Sequence, residues 1–208
     1  MSIFGIVSVI CLTLILIFVS TYDWMLMSFV TMISCCGVLL YRKDNINAVS
    51  ITILILVMSI LELVAFNYVI PLESDTLPMI WLGSIVYGTQ LILFALTCLL
   101  ILLRIRLLQK LFRCDKTVAP TYAEGLIALS LFLSCILMTL MFIENIIRNA
   151  VDLGFQGTFF SALTKLTLIY DNYEILAFSI RASICALIAS MLFAVEIDTT
   201  KLKTYRTR

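Results

Sequence analysis

The chain has 208 residues, of which 62 % are hydrophobic and only 13 % charged, with a mean hydropathy of +1.13. A soluble domain carries roughly 25 % charged residues, so the composition excludes an ordinary soluble enzyme and predicts a polytopic membrane protein whose surroundings are a lipid bilayer. A formal net charge of +1 provides no basic domain to release counterions, so no nucleic acid is expected as a partner.

Histidine is absent. That removes histidine-ligated haem, H-E-x-x-H zinc sites and histidine-based triads together, and neither a metal nor a cofactor is expected. The seven cysteines form no C-x-x-C, and all but Cys114 sit inside apolar runs. There they act as small packing hydrophobes.

The fold expected is all-α: one transmembrane helical domain over residues 1–208, with six spans at about 3–19, 24–41, 48–70, 79–103, 122–143 and 173–195. The stretch 3–19 reads as a first span rather than a signal peptide, because no basic residue precedes it. Only Ser20-Thr21-Tyr22-Asp23 separate it from the second span, which makes the two an antiparallel hairpin. The third span follows the turn Arg42-Lys43-Asp44-Asn45, and the loop between Pro71 and Pro78 separates it from the fourth. Beyond 103 the chain continues as a basic amphipathic piece through Arg113, expected to lie along the membrane surface. Residues 155–170 are too short to span and are interrupted by Lys165, which suggests an interfacial or re-entrant helix.

Eleven of the fourteen basic residues fall in three segments: the turn at 42–47, the piece 104–116 and the tail after 200. Six spans put all three on one side. Both termini are therefore expected in the cytoplasm, and the protein in a plasma or bacterial inner membrane.

The sixth span has three faces. Glu174, Phe178, Arg181 and Cys185 share one side, Ser179, Ser183, Ala186 and Ser190 the opposite one, and Ile180, Ile184, Leu187 and Met191 the sector between. This pattern predicts a central helix, packed on two sides and facing lipid with the bulky third. The pentapeptide Glu62-Leu63-Val64-Ala65-Phe66 resembles Glu174-Ile175-Leu176-Ala177-Phe178. The glutamates do not sit at matching depths in inverted halves, so the match does not establish a repeat.

Glu62 lies in a run without charge from Asn45 to Leu72, about 5 Å outward of its span centre. A charge at that depth costs about 2.5–3.5 kcal/mol on insertion scales, so it needs a partner, a proton or water. Arg181 falls at a similar level and its planar fork can hold a carboxylate through two hydrogen bonds. Gln90 lies at the same depth on the face shared by Gly83, Tyr87 and Thr97. The expectation is one cluster of Glu62, Gln90 and Arg181, with Tyr87 nearby and Glu174 two turns outward on an access path. As a site it would take a substrate, ion or proton; as structure it would fix which helices meet. A second, outer polar group contains Glu144 and Arg148, one helical turn apart and expected to pair.

Ser84-x-x-x-Gly88 and Ser179-x-x-x-Ser183 have the spacing of close helix contacts. Such contacts form within a chain, in a homo-oligomer or with a membrane-complex partner. The leading functional reading is a small transporter or channel-like protein with the Glu62 layer as its polar centre. The alternative is a non-catalytic membrane subunit or assembly factor whose charges set helix packing. An enzyme ranks third, since no nucleophile–base pair or ligand set is visible.

Overall fold

The computed structural model describes residues 23–70, 77–112, 120–154 and 167–192, with Lys165 and scattered positions between 10 and 21. The first predicted span and most of 155–166 therefore lie largely outside the described residues. Among the described residues the backbone is helix and turn without strand. Five helices among the described residues are long and apolar enough to cross a membrane.

Helix α1 (Trp24–Tyr41) starts where the Asp23 side chain accepts the N–H groups of Met25 and Leu26 at 2.8 and 3.1 Å. The next, α2 (Ile46–Val64), is capped in the same way by Asn45, which accepts from Asn47 and Ala48. Each cap satisfies amides that the first turn of a helix leaves without partners. From Ala65 to Val69 the helix widens to π geometry, with the Ile70 N–H reaching back to the Ala65 carbonyl.

Helix α3 (Met79–Phe112) follows Pro78, whose carbonyl accepts the amides of Trp81 and Leu82. At 34 residues it is about 50 Å long. The piece expected to lie on the membrane surface is instead an unbroken continuation of this span. No proline or glycine interrupts 103–112, and Arg104 is anchored inside the protein. Helix α4 (Tyr122–Arg148) opens on a capping box in which Thr121 and Glu124 bond each other's backbone amides. Helix α5 (Tyr173–Ser190) follows a single 3₁₀ turn at Tyr170–Asn172. Its C-terminal end is held from α1, where the Arg42 guanidinium donates twice to the Leu192 carbonyl at 3.2 and 2.9 Å.

Consecutive helices pack side by side, and α5 returns against α1, closing a five-membered ring. Every helix supplies the core, through Cys35 and Val38, Ile51 and Ile55, Phe94 and Ile101, Ile127 and Leu131, Ile184 and Ile188. Outside the ring, Ile33, Leu40, Val57, Ile92, Leu102 and Phe132 stand exposed. A continuous apolar belt of this kind needs hydrocarbon around it.

The ring corrects the expected lipid-facing side of α5. Ile184, Leu187 and Met191 are buried, and Ile180 packs on the same core. Half of α5 is inside the protein, because α4 and α1 cover both flanks. Lipid is left only its outer end, at Ile175 and Leu176.

Candidate functional site

On α2 the buried positions run Ile51, Ile55, Met58, Ser59 and Glu62, the three- and four-residue spacing of one helical face. Glu62 therefore points inward by continuing an apolar stripe. It lies just before the π segment, and its carbonyl shares the Ala65 N–H with that of Leu61. Arg181 comes from the middle of α5. The two meet as a two-pronged ion pair: Nη1 donates to Oε2 at 3.1 Å, and Nη2 donates to Oε1. The Phe94 ring of α3 covers the guanidinium, 5.4 Å from ring centre to Cζ.

A cavity of about 250 Å³ reaches this pair. Trp24 and Met27 of α1, Phe66, Val86 and Gln90, and Tyr173, Glu174, Ala177 and Phe178 of α5 line it. The Glu62 side chain is 6 % exposed and that of Arg181 15 %. Gln90 sits beside the pair, where its Oε1 accepts the Tyr173 hydroxyl at 3.2 Å. Glu174 is exposed, farther out on the same lining.

Tyr87 is near this group, next to Tyr173, but is not among the described residues that line the cavity. Its ring meets that of Tyr173 edge-on at 6.1 Å, and it lines a small outer cleft with Glu144, Arg148 and Tyr170. In that cleft the expected pairing of Glu144 with Arg148 gives way to other partners. Glu144, buried, accepts the backbone N–H groups of Ile169 and Tyr170 at 2.8 and 3.2 Å. Arg148 lies over the Tyr170 ring at 4.1 Å. Both residues fasten the turn that leads into α5. Two adjacent amides on one carboxylate satisfy more buried donors than one solvent-side cation would.

Ser84 turns towards α4, where Asn145 donates to its Oγ at 3.3 Å and to the Ile80 carbonyl at 3.0 Å. A Cβ added at Gly88 would meet nothing within 4 Å among the described residues. On α5, Ser183 donates to the Ser179 carbonyl of its own helix.

A second buried ion pair has no counterpart among the expected site residues. Arg104, 2 % exposed, donates from Nε and Nη2 to the Glu124 carboxylate at 3.2 and 2.7 Å. Its Nη1 donates to Ser50 Oγ at 2.9 Å and Asn47 Oδ1 at 3.3 Å. This knot joins α2, α3 and α4 near the basic end of the bundle. In sequence Arg104 looks like an orienting charge at a span end. The missed signal is Glu124, an acid at the start of the following span.

Among the described residues no group of three His, Cys, Asp or Glu is placed to hold a metal. Chemically, the cavity offers one paired and one exposed carboxylate, one guanidinium, an amide and aromatic walls. These groups suit binding or proton exchange; they include no activated nucleophile. The fold is that of an all-α, multi-span membrane protein. No family model, curated protein or solved structure matches the chain.

Proposed function

We propose that this is a small transporter or channel-like membrane protein whose polar centre is the cavity ending on Glu62 and Arg181. The observation that supports the reading is that cavity. A pair serving only to pin helices has no need of an open space of about 250 Å³ leading to it, nor of an acid along its wall. The size is near the lower end for small-molecule sites. Gating would consist of a shift in the Glu62–Arg181 bonds as a passing solute competes for one of the two charges.

The test is a flux screen on proteoliposomes carrying the wild-type chain, Glu62→Gln or Arg181→Gln, followed with pH- and potential-sensitive dyes. The expected result is a solute-evoked signal that both folded variants lose at least about tenfold. A signal retained in either variant would remove the pair from the mechanism.

The second reading, a membrane subunit or assembly factor, draws on Arg104 and Glu124. Their knot is fully bonded, so buried charge in this chain also serves packing alone. It predicts silent vesicles and variants that differ only in stability.

A further inference from the structure

We propose that the cavity selects a small organic cation: an ammonium group carried on an apolar or aromatic body. The inference rests on the reading of the cavity as a solute site. Formal charge points this way first. Among the described residues two carboxylates, Glu62 and Glu174, and one guanidinium, Arg181, line the space, a surplus of one negative charge. Arg181 is already committed, held in its plane by both Glu62 oxygens and covered by Phe94. An anion would have to displace Glu62 from that fork after passing Glu174. A cation meets the opposite situation. Glu174 has no hydrogen-bond or ion-pair partner among the described residues and stands exposed on the lining.

The walls agree with the charge. Trp24, Phe66, Tyr173 and Phe178 come from three helices to enclose one space. Aromatic faces attract ammonium groups, most strongly when the cation is drawn out of water, and grouped rings are how quaternary ammonium is recognised. They also accept an apolar body, which a hydrated inorganic ion would not supply.

Trp24 makes the proposal measurable. The chain has two tryptophans, and the other, Trp81, is 56 % exposed on α3 and away from the cavity lining. The full chain bearing Trp81→Phe, in lipid nanodiscs, would be titrated with benzyltrimethylammonium, its neutral isostere neopentylbenzene and the anion benzenesulfonate. Trp24 fluorescence is the readout, and calorimetry on the wild-type chain is the second measurement. The expected result is saturable binding of the cation, absent for the other two and about five- to tenfold weaker in Glu174→Gln. Trp24→Phe in the otherwise wild-type chain should abolish the optical signal. Binding of benzenesulfonate in preference to the cation would overturn the class of ligand while keeping the cavity as a solute site. Silence with all three in both measurements would overturn the proposal. Cation binding in nanodiscs without cation flux in proteoliposomes would uphold it and sink the transport reading instead.

Discussion

Arg104 is buried and Arg181 partly buried, and their surroundings set them apart. Each grips a glutamate with two hydrogen bonds. Arg104 has Ser50 and Asn47 on its remaining side, whereas Arg181 has a cavity. Replacing Arg104 by Met should cost about 3–5 kcal/mol, because it leaves the buried Glu124 carboxyl without its partner, and the double variant Arg104→Met, Glu124→Met should recover most of that loss. Unfolding of the three proteins in mixed micelles would check this. Equal instability of single and double variants would mean that the two side chains do not act as a pair. At the other pair, Glu62→Gln should destabilise more than Arg181→Gln. A guanidinium keeps its charge in any environment, while an abandoned carboxyl can bind a proton and become neutral. The same unfolding assay reads the order, and the reverse order would contradict the argument. Glu62 and Arg181 were legible in sequence because each interrupts a long uncharged run. Arg104 was not, since a cation at a span end looks the same whether it meets lipid headgroups or a buried acid. The partners of Glu144 were also hidden: they are backbone amides, and every residue but proline has one.

At the scale of helices, the contact of α3 with α4 turns on Gly83. A Cβ there would stand 2.5 Å from Asn145 Oδ1, well inside contact distance. The Asn145 amide nitrogen bonds to the Ile80 carbonyl and Ser84 Oγ on the same helix. Gly83→Ala should therefore lower the thermal midpoint by more than the usual gain of an alanine in a helix could offset. Asn145→Ala should cost its buried hydrogen bonds. Together the two should cost less than their sum, since the second removes the clash created by the first. Strict additivity in thermal unfolding would place the glycine and the amide apart. The small-residue spacing on α3 pointed to Ser84 and Gly88, whereas the close approach is at Gly83, and an added Cβ at Gly88 would meet no described neighbour within 4 Å. Helix starts were more legible: Asp23, Asn45 and Thr121 are cap-forming residues immediately before apolar runs. The π segment at Ala65–Val69 left no sequence signal, because widening one turn needs no special residue.

At the scale of the molecule, the closed ring of five helices among the described residues follows from consecutive helices packing side by side and from α5 meeting both α4 and α1. Hydropathy alone made the spans legible, whereas the order of neighbours required the packing. Orientation rests on the basic segments, and Arg104 no longer counts among them, its charge being balanced by Glu124. The remaining ten still share one side of a six-span arrangement, so a tag after Arg208 and a protease site in the 42–45 turn should both be accessible from the cytoplasm. Accessibility on opposite sides would refute the span count. The central claim is that the space beside Glu62 and Arg181 is wet and open towards Glu174. The most direct measurement is labelling by a membrane-impermeant thiol reagent in a chain stripped of its native cysteines. Glu174→Cys, Ala177→Cys, Gln90→Cys and the core position Leu187→Cys would be compared one at a time. Position 174 should react fastest, 177 and 90 more slowly, and 187 not at all. If 177 and 90 prove as inert as 187 in folded protein, the pair sits in a dry core and has no part in passing a solute.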